Sequence, residues 1–331
     1  MMKTQKKSRE RQMKTKKMRN KQTRNKQIRN KQTRKITNNH KKHDYKTFNF
    51  KKLRCSPKEK KDYNNFTCYT NESLYKLRDQ WNKRHSDKLI KTNDPKEIHN
   101  KLTFYLSGIC KKESCWLKQN KDFGKISEDI KDSFAPLSPD EWKKNPNEWL
   151  SSLDIDKVMK QYKKAYKCFE FIGPSPIDFD KKLSYGECVW NDLCNFNLES
   201  QIKQGKNKIG IIFNTDPHNK SGSHWISLFI DVKKKQIFFF DSVGTKISSE
   251  ILTLVNRIIE QGKKMNPKIN LKFDDSGGVE HQYKNTECGI YSLFFIIHML
   301  QDKTEANFYK THIIKDDHVQ NYRKIYFNEE L

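Results

Sequence analysis

The chain has 331 residues, and its 67 Lys or Arg against 40 Asp or Glu give a formal net charge of +27. This length allows one domain of ordinary size with attached segments. No apolar stretch approaches the roughly 20 residues of a membrane-spanning helix, so we expect no membrane partner. The eight cysteines show no paired framework, and we find no signal peptide. Both observations favour a reducing compartment over secretion.

The basic charge is concentrated in residues 1–43, which hold 18 Lys or Arg and a single acidic residue. A five-residue unit recurs there as MRNKQ, TRNKQ and IRNKQ. A period of five fits neither a helix nor a strand and presents no apolar face, so the segment is predicted to be disordered. We expect it to contact nucleic acid through counterion release. A localisation signal and a solvated tail are the alternatives.

Residues 44–150 are predicted to form a helical accessory region. Residues 72–81 and 95–106 have helical spacing, and Pro95 after Asp94 suits a first helical turn. The region also contains Cys55, Cys68, Cys110 and Cys115. Their spacings match zinc sites poorly, so we interpret these four as buried thiols and expect neither a metal nor a cofactor.

Residues 151–331 are predicted to form a catalytic domain around the apolar run 290–300. A helix that is apolar on all sides is buried, and this run is too short to cross a bilayer. Asn285 and Thr286 are suitable N-cap residues, which places Cys288 in the first helical turn. Free backbone N–H groups and the helix dipole favour a thiolate there. A lone Cys is often only structural, but the polar flanking loop indicates a cleft, and Cys288 is the predicted nucleophile.

His224 is the predicted base. Two β-rich runs flank the charged turn that follows it, and folding about the Val232–Lys233 bond pairs His224 with Asp241. A carboxylate at that distance can bond one imidazole nitrogen and leave the other for the thiol. The turn lacks Asn-Gly, so this register can slip by a step. Gln282, six residues before Cys288, is interpreted as a donor to an oxyanion, together with the Cys288 backbone N–H.

The remaining elements of the domain alternate between strands and helices. An extended, proline-punctuated segment at 171–179 opens the domain. Helices are expected at 188–198, 247–262 and 316–327, and strands at 208–214 and 268–273. We expect an α+β fold, in which the buried helix that bears Cys288 packs on the sheet that bears His224.

The order and spacing of the candidate residues resemble those of the SUMO-specific and adenovirus-type cysteine peptidases. Asp241 follows His224 by 17 residues, and Gln282 precedes Cys288-Gly289 by six. The resemblance extends over about 150 residues, from near Phe169 to beyond the apolar run. It implies an α+β, papain-like core in which Cys288 attacks, His224 shuttles the proton, Asp241 orients the ring and Gln282 donates to the oxyanion.

The same resemblance implies a substrate channel walled by Trp225 and Trp190. SUMO proteases carry Trp-Leu-Asn-Asp near the start of their domain, whereas this chain has Val-Trp-Asn-Asp, so Trp190 stands one position nearer to the Asn-Asp pair. Glu287 stands where these enzymes often have Asp before the nucleophile. The implied preference is for small residues before the scissile bond, Gly above all, because a backbone without Cβ passes closest to Trp225.

The implied activity is that of a cysteine (thiol) protease acting on proteins without a cofactor. Residues 72–117 resemble the amino-terminal extension of peptidases from large DNA viruses, which implies processing of viral structural precursors and a place in the virion or in the host cytoplasm or nucleus. One alternative is a deconjugating peptidase that acts on SUMO or ubiquitin-like proteins. Another is a nucleic-acid-binding virion protein with an inactive peptidase fold.

Overall fold

The computed structural model describes residues 54–57 and 64–328. The predicted disordered tail, 1–43, lies outside the described residues. None of the described helices is long and apolar enough to cross a membrane. The α-helices are α1 Asn71–Asn82, α2 Pro95–Leu106, α3 Asn120–Phe123, α4 Glu128–Lys131, α5 Ser152–Ala165, α6 Asn191–Cys194, α7 Leu198–Lys203, α8 Ser249–Lys264, α9 Cys288–Leu300, α10 Ala306–Thr311, α11 Asp316–Gln320 and α12 Arg323–Tyr326. Two 3₁₀ helices span Glu113–Lys118 and Asp140–Lys143.

Five strands form one mixed sheet in the order β1-β2-β3-β4-β5. The strands are β1 Phe169–Pro176, β2 Lys208–Asn214, β3 Trp225–Asp231, β4 Gln236–Phe240 and β5 Lys272–Asp275. The two outer pairs, β1 with β2 and β4 with β5, are parallel, and the two inner pairs are antiparallel. The β3–β4 hairpin therefore lies at the centre of the sheet. The start of β3 and the end of β4 lie together at the edge formed by the strand ends farthest from the hairpin turn.

The two faces of the sheet bury two different apolar clusters. Alternate residues of a strand point to opposite faces, and on β3 Trp225 and Phe229 belong to the cluster that contains α9, whereas Leu228 and Ile230 belong to the cluster that contains α8. All 13 residues of α9 are buried, which confirms the prediction of a central helix. The papain-like α+β arrangement, a helix that begins with a cysteine packed on a sheet, is confirmed as well.

The accessory region has an apolar cluster of its own, to which α1 and α2 contribute. Helix α2 begins at the predicted Pro95, and Asp94 caps it by accepting a hydrogen bond from the backbone N–H of Glu97. Helix α1 extends one residue beyond the predicted 72–81 at each end. The predicted domain boundaries at 43/44 and 150/151 stay predictions.

The register of the central hairpin differs from the predicted one. The last pair before the turn is Asp231 with Gln236, so the strands fold about the Lys233–Lys234 bond and the pairing is displaced by two residues. The turn is longer than predicted because the Asp231 side chain accepts a hydrogen bond from the backbone N–H of Lys234, and Lys235 adopts a positive φ of 54°. An even displacement leaves every side chain on its predicted face.

The expectation of unpaired cysteines is wrong. Six of the eight cysteines form disulfides, which are Cys55–Cys68, Cys110–Cys115 and Cys188–Cys194. Their Cα–Cα distances are 5.1, 5.5 and 6.3 Å, within the range that a disulfide bridges. Such proximity is set by the folded backbone and cannot be recognised from sequence spacing. The prediction of a reducing compartment relied on unpaired cysteines as well as on the expected lack of a signal peptide, and it loses the first of these two supports.

Three other elements differ from their predicted bounds. The strand predicted at 268–273 forms at Lys272–Asp275, where it pairs with β4. The helix predicted at 188–198 is replaced by the separate short helices α6 and α7, and the helix predicted at 316–327 by α11 and α12. In each of these two segments an Asn follows the first short helix as its C-cap.

Candidate active site

The structure brings His224, Asp241 and Cys288 together at one edge of the sheet. His224 directly precedes β3 and Asp241 directly follows β4, so the antiparallel pairing places both at that edge. The ring Nε2 of His224 lies 2.7 Å from Oδ1 of Asp241. The Cys288 side chain acts on His224 as well, since it is one of the two groups that raise the pKa of the imidazole. The ring thus interacts with both a carboxylate and a thiol.

The Asp241 carboxylate is fully buried and tightly held. Its Oδ1 also accepts a hydrogen bond from the Val243 backbone N–H at 3.0 Å, and its Oδ2 accepts from the backbone N–H and the hydroxyl of Thr245. Burial raises the pKa of this carboxyl, but the hydrogen bond and charge of His224, with the donors of Thr245 and Val243, lower it below the ordinary value. Asp241 therefore stays ionised and keeps Nε2 of the ring directed towards itself, which leaves Nδ1 for Cys288.

The electrostatic surroundings of His224 favour its protonated form. Burial lowers the pKa of the imidazole, but the hydrogen bond to Asp241 and the interactions with Asp241 and Cys288 outweigh this and raise the pKa to about 9. The side chain remains 19% exposed, so it can exchange protons with solvent or substrate. A protonated imidazole beside a thiol stabilises the thiolate, which is the reactive form of a nucleophilic cysteine.

Cys288 is the first residue of α9, as predicted, and is 1% exposed. The predicted caps are wrong: the N-cap residue is Glu287, and no side chain of Asn285 or Thr286 caps the helix. Instead the Glu287 carboxylate accepts hydrogen bonds from the backbone N–H and the hydroxyl of Thr286. This arrangement leaves the backbone N–H groups of the first helical turn free of side-chain caps.

Gln282 lies in the loop before the nucleophile and is buried. Its Oε1 accepts a hydrogen bond from the Ser242 hydroxyl at 2.7 Å, and its Nε2 donates to the carbonyl of Lys284 at 2.7 Å. Because Ser242 follows Asp241, the amide is anchored beside the same sheet edge. A side-chain amide has two N–H donors, so one remains for a reacting group, and the predicted oxyanion role stays a prediction.

Trp225 and Trp190 line one cleft of about 640 Å³ beside this edge. The indole N–H of Trp225 donates to the Leu150 carbonyl at 2.9 Å, and the ring is 8% exposed. Trp225 is thus a core residue that also contributes to a cleft wall. Gly289 packs so closely here that a Cβ would lie 2.9 Å from Cβ of Leu150 and 3.3 Å from the Trp225 ring. The predicted channel roles of the two tryptophans stay predictions.

Two charged residues near the carboxyl terminus contact the loops of this site, and no pattern in the sequence predicts a role for either of them. Asp316 accepts hydrogen bonds from the backbone N–H groups of Tyr283 and Lys284 and from the Tyr291 hydroxyl. Arg323 donates to the carbonyl of Thr286. Both follow Cys288 by more than 25 residues, and no spacing rule connects such distant positions.

Comparison with known proteins identifies the family of this chain. The family described as "Ulp1 protease family, C-terminal catalytic domain" matches residues 147–331. A putative thiol protease of Acanthamoeba polyphaga mimivirus is 26% identical over 293 residues, covering 83% of this chain and 93% of the relative. A protein of African swine fever virus named as a SUMO-1 cysteine protease is 24% identical over 242 residues, covering 67% of this chain and 86% of the relative.

A solved structure shows the same fold. A crystal structure of a protease from African swine fever virus has a TM-score of 0.55 and 19% sequence identity, covering 83% of this chain and 95% of that protein. The family match extends over more than half of the chain and includes every candidate residue of the site. The chain therefore belongs to the Ulp1 protease family and is a cysteine protease, as the resemblance predicted.

Proposed function

We propose that this cysteine protease hydrolyses peptide bonds through a triad of Cys288, His224 and Asp241. The observation that carries the proposal is the imidazole of His224, which is hydrogen-bonded to a buried carboxylate and interacts with Cys288 at the start of α9. In such an arrangement the carboxylate orients the ring, the ring holds the proton, and the sulfur attacks a carbonyl carbon. The intact arrangement argues against the alternative of an inactive virion protein.

The proposed reaction proceeds in two stages. The Cys288 thiolate attacks the scissile carbonyl, and its oxygen becomes an oxyanion that accepts hydrogen bonds from the Cys288 backbone N–H and from Gln282. Collapse of this intermediate breaks the C–N bond, and His224 gives its proton to the leaving amine. Water, deprotonated by His224, then attacks the thioester, and collapse of the second tetrahedral intermediate releases the acid and regenerates the thiol.

We further propose that the cleft selects small residues, Gly above all, before the scissile bond. The wall at Trp225 is rigid because its indole is both packed in the core and hydrogen-bonded to Leu150. Trp190 contributes to the same cleft. Between two large rings, a substrate backbone without Cβ passes with the least steric conflict.

Replacing Trp225 with alanine is expected to relax this selectivity. Cleavage of peptides with Ala-Ala before the bond should rise relative to Gly-Gly, while the overall rate falls because substrate placement is looser. The melting temperature should also fall, since a large buried side chain is lost. Trp225→Phe, which keeps an aromatic ring in the core, is the matched control and should retain more of the Gly preference. An unchanged Gly preference in a destabilised Trp225→Ala protein would contradict the proposed role of Trp225 in selectivity.

The proposed natural substrates are viral structural precursors. This assignment is supported by the viral relatives, one of which matches over 83% of this chain and so extends beyond the catalytic region. Release of SUMO or ubiquitin-like proteins is the second candidate, favoured by the name SUMO-1 cysteine protease of another relative. Kinetic comparison of a Gly-containing peptide library with purified SUMO and ubiquitin conjugates tests both candidates. If the protein hydrolyses neither the peptides nor the conjugates, the proposed function is contradicted.

Residues 1–43 are proposed to bind nucleic acid, which would suit a protease located in a virion or in the cytoplasm or nucleus of an infected cell. Deleting them should leave the rate on a short neutral peptide unchanged. The truncated protein should bind DNA or RNA more weakly, and its binding should depend less steeply on salt, because fewer counterions are released. Fluorescence anisotropy of labelled DNA at several salt concentrations measures this. Equal DNA binding by both proteins at low salt would contradict the proposal.

A further inference from the structure

Arg323 is a buried cation directly behind the nucleophile loop. It is the first residue of the short helix α12 and is only 4% exposed, although its guanidinium is charged. Its Nη1 donates to the Glu148 carbonyl at 2.7 Å, its Nη2 to the Thr286 carbonyl at 3.2 Å, and its Nε to Gln320 at 3.0 Å. The guanidinium carbon also lies 4.4 Å from the centre of the Trp142 ring. One side chain thus joins three segments that are distant in sequence.

The three oxygens that accept hydrogen bonds from Arg323 are uncharged, so they do not neutralise its positive charge. That charge therefore acts on the neighbouring groups of the active site. Burial lowers the pKa of the guanidinium to about 10, while interactions with Glu287, Cys288 and Glu148 act in the opposite direction. The group therefore remains positively charged at neutral pH. A buried charge is costly unless it is compensated, and a thiolate at Cys288 is an anion that provides compensation.

The groups that act on the Cys288 sulfur have opposing effects. The carboxylate of Glu287, directly before it and 1% exposed, disfavours a second negative charge. Protonated His224 favours a thiolate, and Asp241 acts through that ring. Arg323, whose guanidinium is hydrogen-bonded to the carbonyl of the preceding Thr286, offsets the charge of Glu287.

We propose that Arg323 is a positioning residue that fixes the loop before Cys288 and stabilises its thiolate. The inference rests on the proposed role of Cys288 as the nucleophile. Its hydrogen bond to Thr286 restrains the backbone two residues before the sulfur. Its charge shifts the balance between thiol and thiolate towards the reactive form.

The test uses the full-length protein and the pH dependence of alkylation by iodoacetamide, with each labelled cysteine identified by mass spectrometry. Without reductant only Cys168 and Cys288 are free thiols, so Cys168 serves as an internal reference. In Arg323→Gln, alkylation of Cys288 at a pH below its half-maximum should be about tenfold slower, and the half-maximum should move up by about one pH unit. Arg323→Lys keeps the charge, so its alkylation profile should return most of the way to that of wild type. Its kcat/KM should stay below the wild-type value.

Lys208→Met is the matched control for loss of a buried cation. Lys208 is 8% exposed and donates to the Leu300 carbonyl, at the opposite end of α9 from Cys288. This variant should lower the melting temperature and leave the Cys288 alkylation profile unchanged. If Arg323→Gln does not fold, Glu287→Gln provides the complementary measurement, and its profile should move to lower pH.

The inference is overturned if Arg323→Gln lowers the melting temperature but its Cys288 profile coincides with that of wild type. An equal shift in the Gln and Lys variants would also overturn it, because the effect would then not depend on charge. When Arg323→Gln does not fold, an unmoved Glu287→Gln profile is the overturning result. Failure of the proposed function would look different: Cys288→Ala would remain active, whatever the Arg323 variants do.

Discussion

Replacing Cys288 with alanine is expected to reduce kcat/KM by at least about 10⁴-fold, because no other group at this site can form the thioester. The fold should persist. The change removes only the sulfur, at the first residue of α9, and alanine is favourable in a helix. Hydrolysis of a Gly-Gly peptide and the melting temperature measure the two effects separately.

Cys168→Ala is the matched control, since Cys168 is the other free cysteine and is partly exposed. It should keep nearly full activity. If Cys288→Ala retains substantial turnover, or if Cys168→Ala loses it, the assignment of the nucleophile is wrong. Loss of activity together with loss of folding in Cys288→Ala would be assessed with Cys288→Ser, which keeps a side chain of similar size and should also be nearly inactive.

Replacing Asp241 with asparagine is expected to lower kcat by about 10²–10⁴-fold, because the ring of His224 loses the acceptor that orients it and stabilises its charge. Asn is similar in size, and its single amide oxygen can keep the two hydrogen bonds from Thr245 while its NH2 group faces His224 and Val243, so the fold should be retained. Steady-state kinetics and circular dichroism of the variant test these expectations. Retention of wild-type kcat would contradict the proposed role of Asp241.

The same variant should change the pH dependence in a defined direction. In the wild type the pKa of His224 is raised to about 9, so its protonated form is favoured up to that pH and is lost as the pH rises through it. The contribution of the His224–Asp241 pair to the free energy of unfolding is fully present below about pH 6.5, the ordinary pKa of an imidazole. It is lost as the pH rises towards 9. The descending limb of kcat/KM should therefore lie near pH 9, and it should move to lower pH in Asp241→Asn.

Most of the candidate site could be predicted because its signals are local. Cys288 opens a helix with an unusually apolar sequence, and the residues of the central hairpin have a clear strand pattern. The predicted register was displaced by two residues because a hydrogen bond from Lys234 to Asp231 stabilises a longer turn. The predicted proximity of His224 and Asp241 does not depend on this error, since an even displacement keeps both residues on the same face at the same edge.

The features that could not be predicted depend on contacts between distant segments. The three disulfides require a folded backbone that brings the thiols together. Arg323, in α12, donates hydrogen bonds both to Glu148 and to the loop before the nucleophile. Asp316, in α11, accepts hydrogen bonds from the loop that follows Gln282. A single sequence contains no periodicity that connects such positions.

The most direct test of the central claim is labelling with a peptide probe that ends in Gly-Gly and carries a thiol-reactive vinyl ester in place of the scissile bond. The native protein without reductant should form one adduct, and peptide mapping should place it on Cys288. The adduct should form far more slowly in His224→Ala and not at all in Cys288→Ala. An adduct on Cys168, or turnover of a Gly-Gly peptide that persists after Cys288 has been blocked, would contradict the account.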